Sequence, residues 1–465
     1  MALTLAAGWL APAQAQAQVQ GQPGVRTLDF RQAVEVALHQ NPDLLAVQAQ
    51  EAQARSAVAQ ARGARWPRLS AGVGATRTND ALNAFGLKLA QRGATFNDFG
   101  AGQFNPALPG VLSIAPANLN HPAAVNDFST HLQAELPLYT GGKLRGYLRQ
   151  ARAMLQAAQA GDRAARQAII GHVLQAYDGV YTARAWRGVA AKALRAAQSQ
   201  LRMVDNLYSQ GVVLSSDLLA ARVNLENVQV QQQQSADLEQ QAIDGLHVVL
   251  GLPLQQPLQL GPPVDVAMPQ GTPRDWIDAA LVGNPRMQAL REQVDAAGGQ
   301  VEVARAQLYP QVGAMARVET HDPSAGFAAH SYTIGVQLSW DVFDGGVTRQ
   351  AISQAAAARE ALRLKLQAAQ QQLAMQIHDA YRKARLAASQ IAGRELGVQQ
   401  AEQAERIVAQ RYAHGVGTLL ELQGAQAMLD KARADLVLAR SQATDQRAAL
   451  RLALGRLDLG AVQPR

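Results

Sequence analysis

The sequence predicts an α+β fold, mostly α, built as two tandem repeats, each a β-strand pair followed by a long α-helical hairpin. Three observations predict it. The chain is written twice. Leu38-His39-Gln40-Asn41-Pro42 returns as Leu281-Val282-Gly283-Asn284-Pro285, and Trp66-Pro67 as Tyr309-Pro310, both 243 residues later. Thr140-Gly141-Gly142 returns as Asp344-Gly345-Gly346, Tyr177 as Tyr381, Tyr208-Ser209-Gln210-Gly211-Val212 as Tyr412-Ala413-His414-Gly415-Val416, and Leu250-Gly251 as Leu454-Gly455, all 204 residues later. Chance does not hold two constant offsets over that many landmarks, so a domain-sized unit occurs twice. The second observation is a set of short runs with period-two alternation. The third is a pair of very long proline-free stretches, Lys143 to Leu252 and Ser324 to Gln463, with large apolar residues at helical spacing.

In chain order, Leu3 to Ala11 is a short apolar run, followed by Pro12 and the small-residue stretch Ala13 to Ala17. It predicts a secretory signal over 1–17 with its basic front part truncated. The alternative is a disordered Ala/Gln tail. The first repeat is expected over 18–271 and the second over 272–465, joined by the Pro- and Gly-rich stretch Gly251 to Pro273. Each opens with a short amphipathic helix ending at Asn-Pro, because the residue before proline is pushed out of the helical region. A second helix follows, about 42–64 and 285–308, stopped by Trp66-Pro67 or Tyr309-Pro310. Strands are expected at about 67–77 and 129–139, then 310–319 and 331–343. Tyr332 to Trp340 shows the alternation most clearly. Long helices are expected at about 142–209 and 216–250, then 346–413 and 418–455. The first, as one helix, is ~100 Å long at 1.5 Å per residue. Such length needs lateral partners, and the Ala-rich composition permits close helix packing. Each hairpin turns near Gly211 or Gly415.

Composition removes several function classes. There are 0 cysteines, so there is no disulfide frame, no thiolate metal site and no lipid-accepting cysteine. The net charge of +7 comes from basic residues scattered among acids along the helices, which argues for a solvated surface and against nucleic-acid binding. No run reaches the ~18 apolar residues of a spanning helix. No Walker loop, His-Glu-x-x-His motif or complete dinucleotide fingerprint occurs; Gly72-x-Gly74 lacks its third glycine. His121 and His131, or His321 and His330, fall in loop or strand regions without ligand spacing. The reading is a non-enzyme with no cofactor and no metal.

The strands make a further demand. Each has one apolar face and one small or polar face. If the apolar face meets lipid, every backbone polar group must be paired and the sheet must close. Single-chain barrels begin at eight strands, so four strands cannot close alone. Three chains give a trimeric 12-stranded β-barrel with a polar lining. Trp66, Tyr139, Tyr309, Trp340 and Phe343 cluster at the strand–helix junctions, where an aromatic girdle marks a membrane boundary. The alternative is a soluble sandwich with a core-facing stripe. The drop in offset from 243 to 204 assigns the first repeat 39 extra residues between Pro67 and Gly141. They are expected as a long external loop, about 80–127.

These residues resemble the TolC-like outer-membrane efflux and secretion channels of Gram-negative bacteria. The resemblance rests on Asn41-Pro42 and Asn284-Pro285, on Pro67 and Pro310, on Leu136 to Gly142 and Leu338 to Gly346, and most on Tyr208-x-x-Gly211 with Asp217-Leu218-Leu219 and Tyr412-x-x-Gly415 with Glu421-Leu422. It runs from about Leu28 to Leu457. It implies a homotrimer whose barrel sits in outer-membrane lipid and is joined to a periplasmic α-helical barrel. It implies a gate at the helical tips, docking of Gly211, Val212, Gly415, Val416 and Gly417 on a periplasmic adaptor (membrane fusion) protein, and an inner-membrane RND, ABC or MFS transporter as the motor. It also implies acidic residues at the tips, matched by Asp217 and Glu421; a second acidic place is Gly424 here. Closing hydrogen bonds run in some members from a tyrosine to an aspartate and from an arginine to a hydroxyl. Tyr412, Asp217 and Ser216 match three of those places, while the arginine place is Gly417.

Three Glu421 carboxylates around one axis, with Asp217 near them, would repel one another, favour cations and weaken closure unless paired. A Tyr412 hydroxyl to Asp217 contact between neighbouring hairpins is therefore expected. The plainer reading is that both acids are helix-start residues favoured by the helix dipole. Two functional classes follow: a passive trimeric exit duct, or a periplasmic coiled-coil structural or adaptor protein. An adaptor should carry one helical hairpin in a split β domain; two full copies, each with its own strand pair, favour the duct.

Overall fold

A computed structural model describes residues 26–465; the segment expected to hold the export signal, 1–17, lies outside them. The first repeat supplies β1 (Arg26–Leu28), α1 (Phe30–Gln40), α2 (Pro42–Gly63), β2 (Arg68–Thr78), α3 (Ala81–Ala90), α4 (Ala117–Asn120), β3 (Val125–Tyr139), α5 (Lys143–Ser209), α6 (Ser215–Leu250), β4 (Leu258–Leu260) and β5 (Val264–Val266). The second supplies α7 (Pro273–Gly283), α8 (Pro285–Arg305), β6 (Gln311–Asp322), β7 (Ala329–Ser339), α9 (Val347–Ala413), α10 (Leu419–Ala453) and β8 (Val462–Pro464). Helices α5 and α9 have 67 residues each, and their partners α6 and α10 have 36 and 35. None of the described helices is apolar enough over its length to cross a membrane.

The repeats are not the compact units. Contacts divide the described residues into one unit of 26–46, Ala164–Ala280 and Leu373–Arg465, and another of Val47–Arg163 and Leu281–Gln372. Each unit draws on both repeats.

In the first unit, Asp29 caps α1 in a reciprocal capping box with Gln32. Helix α1 turns Ala33, Val34 and Ala37 into a core that also holds Leu28, Leu174, Leu250 and the fully buried Tyr177. The Tyr177 hydroxyl donates to the Pro262 carbonyl at 3.1 Å, which seats α5 on the linker between the repeats. Small sheets tie the ends together: β1 pairs in parallel with β4, and β5 antiparallel with β8. The Asn-Pro motif does more than stop a helix. The Asn41 side-chain oxygen accepts from the amides of Asp43 and Leu44 at 3.0 and 3.2 Å, and its amide donates to the Val249 carbonyl at 2.9 Å. Asn41 is thus the N-cap of α2, with Pro42 as its first residue.

The same unit buries a pair of acids. Asp178 accepts from the Ser441 hydroxyl at 2.8 Å and lies 3.6 Å from the Arg465 guanidinium. Burial pushes Asp178 up, and it pushes Asp445 up to about 6, with the Asp178 charge adding to the effect. Both folded-state values lie above the unfolded value of about 4. The unfolded chain therefore loses these protons first as pH rises. The stability from the protonated pair is full below about pH 4 and is lost as pH climbs through about 6. Asp445→Asn is expected to raise the melting temperature at pH 7.5 and to flatten the part of its pH dependence between pH 4 and 7. Parallel melting curves of the variant and the parent would show the idea wrong.

In the second unit, β2, β3, β6 and β7 form one four-stranded antiparallel sheet in that order. A bulge between Pro137 and Tyr139 interrupts the β3–β6 ladder. The corner from strand to helix needs left-handed backbone. Gly141 and Gly142 have φ of +61° and +97°, and Gly345 and Gly346 have +65° and +89°, which explains both Gly-Gly pairs. Helices α5 and α8 then meet at backbone distance. A Cβ on Gly299 would sit 2.7 Å from the Gln150 nitrogen, and one on Gly146 would sit 2.8 Å from the Gly299 carbonyl. Beside this crossing Arg149 donates to Asp295 and, at 2.5 Å, to Glu302. The segment expected as an external loop is folded: α3, three short 3-10 turns and α4 lie between β2 and β3.

Candidate functional site: a two-faced sheet and two hairpin tips

The sheet register separates the strand residues by polarity. One face carries, row by row across the four strands, Leu69, Ala134, Ala316 and Ile334, then Ala71, Leu132, Val318 and Tyr332. The other face carries Ser70, Gln133, Arg317 and Thr333 in one row, and Gly72, His131, Glu319 and Ser331 in the next. The apolar face is open. Val73, Tyr332 and Ile334 are 84%, 78% and 77% exposed, so this is not the inner face of a sandwich. On the polar face Arg317 pairs with Glu319 at 2.7 Å, and the His321 ring contacts Asp127 at 2.9 Å. No three His, Cys, Asp or Glu among the described residues are placed to hold a metal. Strands β2 and β7 each have a free edge. With 11 to 15 residues, the strands are long enough to cross a bilayer when tilted.

The five aromatics expected at the strand–helix junctions come together at one end of the sheet. Trp66 and Tyr309 precede β2 and β6; Tyr139 ends β3; Trp340 and Phe343 follow β7. All five are exposed, Phe343 to 90%. The Trp340 indole donates to the Leu308 carbonyl at 3.1 Å, which fixes its ring while leaving one face free.

In the other unit the two hairpin tips are built alike. Gly211 and Gly415 have φ of +73° and +72°, and the following valines, Val212 and Val416, each donate 2.9 Å hydrogen bonds to the carbonyls of Leu207 and Arg411. This is a Schellman stop, for which glycine is the favoured residue. The tips then differ. Helix α10 starts with a capping box: the Thr418 amide donates to the Glu421 carboxylate at 3.0 Å, and the Glu421 amide to the Thr418 hydroxyl at 3.3 Å. Helix α6 has no side-chain cap; Leu214 stands at that place, and Asp217 is the acid of the first turn. Gly417 sits in a tight corner, where a Cβ would come within 3.2 Å of the Tyr412 nitrogen.

The tips pack against each other through Val204, Leu218, Tyr412, Leu419 and Leu422. Tyr412 is 3% exposed, and its hydroxyl is buried with no hydrogen-bond partner. Burial pushes the Tyr412 phenol up, and the nearby Asp217 charge adds to this. Within one chain the two are neighbours without a hydrogen bond. Glu421 and Ser216 are exposed, and Asp217 is half-buried.

A family profile described as outer membrane efflux protein matches residues 33–252 and 276–456, nearly all of both repeats. The chain belongs to the outer membrane efflux protein family. Among curated relatives, the alkaline protease secretion protein AprF of Pseudomonas aeruginosa is 27% identical over 303 residues, which span 64% of this chain and 63% of AprF. Protein CyaE of Bordetella pertussis is 28% identical over 327 residues, 69% of each chain. The toluene efflux pump outer membrane protein TtgC of Pseudomonas putida is 23% identical over 311 residues, 65% of this chain and 63% of TtgC. The matches to AprF and TtgC thus span less than two thirds of those proteins. Two solved structures share the fold. The outer membrane protein VceC of Vibrio cholerae aligns over 92% of this chain and 97% of its own, with TM-score 0.73 and 21% identity. The Campylobacter jejuni CmeC outer membrane channel aligns over 92% and 86%, with TM-score 0.76 and 17% identity.

The outer membrane efflux family is a family of TolC-like channels, not of enzymes, and its members sit in the outer membrane and extend into the periplasm. Sequence reasoning missed several residues that the fold uses. The close approach of Gly146 and Gly299 is one; the doublet Gly298-Gly299 inside a helical pattern was a readable sign of it. The capping roles of Asn41 and Asn284 are another, and Asn followed by Pro was the sign there. Nothing in the sequence pointed to Arg149.

Proposed function

We propose that this protein is the passive exit duct of a tripartite efflux pump or type I secretion system. It works as a homotrimer with a 12-stranded barrel in outer-membrane lipid and a helical barrel in the periplasm. The observation that carries the reading is the four-stranded sheet with one apolar face, one polar face and two free edges. Unpaired strand edges are intolerable in hydrocarbon. A copy joins β7 to β2 of the next, and three copies complete a wall whose polar face lines water. The chain has no nucleotide-binding motif, so an inner-membrane transporter of the RND, ABC or MFS type must supply the energy. The Schellman tips at Gly211-Val212 and Gly415-Val416-Gly417 are the docking sites of the adaptor. Purified protein should run as a detergent-solubilised trimer and form discrete channels in planar bilayers. A monodisperse monomer without surfactant would favour a soluble periplasmic adaptor instead.

At the tips, Glu421 and Asp217 form the constriction, with Ser216 beside them. Three exposed Glu421 carboxylates around one axis select cations. Glu421→Gln is expected to lower the cation preference of single channels. In the closed trimer the Tyr412 hydroxyl finds its acceptor in Asp217 of a neighbouring hairpin. Tyr412→Phe should raise the leak of the closed channel without lowering thermal stability, because no hydrogen bond within the chain is lost. Unaltered selectivity in the first variant, or unaltered leak in the second, removes that role.

A further inference from the structure

The segment between β2 and β3 has no counterpart between β6 and β7, which are joined by a short turn at 323–328. It is a folded body. Ala84 is fully buried, Phe85 and Phe99 meet edge to face at 4.9 Å, and Lys88 pairs with Asp98 at 2.5 Å. The Lys88 hydrogen bond, with two more from Thr95, holds the Asp98 carboxyl down at about 2. Thr95 and Asp98 also form a capping box, and Gln103 accepts from the Ala117 amide at 2.8 Å.

This body is fastened to the polar face of the sheet. Gln91 donates to the Asp127 carboxylate at 2.9 Å and to the Asn126 carbonyl at 2.7 Å. Asp127 is 3% exposed and shares its other oxygen with His321, also on the polar face. Arg92 donates to the His330 carbonyl at 2.9 Å from a left-handed backbone position, φ +54°, unique to it among the described non-glycine residues. Such a position costs energy for a side-chain-bearing residue and persists where contacts fix it.

Large apolar side chains of this body stand open to solvent. Leu82, Phe96 and Leu112 are 81%, 87% and 90% exposed, and Phe104 and Ile114 about half. So many exposed large apolar side chains on one small folded body mark an interaction site. Lipid lies on the other side of the sheet from the anchors. The body also springs from the end of β2, a strand whose free edge awaits the next copy. The occupant is therefore the same body of the neighbouring copies.

We propose that the 79–124 insertions of three copies pack on one another through Leu82, Phe96, Phe104, Leu112 and Ile114, and close the outer mouth of the barrel with an apolar plug. The plug rests on the trimeric-duct reading. It makes a second barrier, distinct from the charged tips. An apolar constriction excludes ions by losing its water, and it must part when cargo leaves.

The chain has no cysteine, so single introduced thiols report cleanly. Two variants are needed. Leu112→Cys, at an exposed place that leaves the body's core intact, should give disulfide-linked copies in outer membranes on mild oxidation. Gln133→Cys, on the polar face, should be protected from a bulky maleimide added to intact cells. That protection should be lost when Leu82, Phe96 and Leu112 are all replaced by serine. A trimer that shows no Leu112→Cys cross-link, together with free labelling of Gln133→Cys in the parent background, overturns the plug. Quenching of a fluorophore on Leu112→Cys by brominated lipid also overturns it, in favour of a membrane-facing loop. Absence of any trimer in detergent removes the duct reading itself, which separates the two failures.

Discussion

Ile334→Arg is expected to keep the protein out of the outer membrane. Ile334 is 77% exposed on edge strand β7, in the row with Leu69, Ala134 and Ala316. That row lies between the aromatic end, marked by Leu338 and Trp340, and the polar row of Thr130, Thr320 and His330. It is therefore near the middle of the apolar band. On the proposed trimeric-duct reading that face meets lipid, where a guanidinium costs about 2–4 kcal/mol per copy, borne three times by three copies. The measured quantities are recovery in the outer-membrane fraction and the amount of heat-resistant oligomer; both should fall steeply. Thr333→Arg, one residue away on the polar face, should assemble and change only ion selectivity. Equal damage from the two substitutions would contradict the assignment of faces, since period-two alternation puts them on opposite sides.

The second large effect is expected at Gly299. Its missing side chain lets α8 lie on α5 with the Gln150 nitrogen and the Gly146 carbonyl inside the space of a Cβ. The obstructing atoms are backbone, so no rotamer change relieves them. Gly299→Leu should cost about 3 kcal/mol, the upper part of the range for overpacking, and it should part Arg149 from Asp295 and Glu302. A lower melting temperature and loss of heat-resistant oligomer are the readouts. Gly161→Leu, in the same helix α5 but with open space at its Cβ, is the matched control and should not lower the melting temperature, since glycine is the poorer helix former. If both variants melt together, the close crossing is not holding the helices.

The long helices were legible because their signal is repeated many times over: no proline for about 110 residues, apolar residues at helical spacing, and a glycine at each stop. The structure has α5 at Lys143–Ser209 against an expectation of about 142–209, and α9 at Val347–Ala413 against about 346–413. Strand β3 begins earlier than expected, at Val125, because its first residues pair with Arg77 and Thr78 at the end of β2. Pairing partners are a property of two distant segments, and alternation within one cannot locate where the ladder ends. The tip residues were legible as positions but not as roles. Within one chain Glu421 is bound to Thr418 as a helix cap, and Tyr412 packs in the tip core with its hydroxyl unbonded. The insertion was legible only as an excess of length, since its short turns lack the periodicity that marks longer elements.

Periodicity, doubled landmarks and the placement of glycine and proline are local or self-similar properties, and they were enough to determine two repeats, four strands and two long hairpins. They also carried the expectation that, if its apolar face meets lipid, no single chain seals its own sheet. Three matters were decided only in three dimensions. The compact units cut across the repeats, because the long helices of both copies pack side by side. The strand order β2-β3-β6-β7 leaves free edges on β2 and β7, one from each repeat. The insertion lies on the polar face, held by Gln91 and Arg92. The physical reason is common to all three: each depends on which separate segments of the chain meet, and that is set by packing and hydrogen-bond satisfaction rather than by any pattern within a segment.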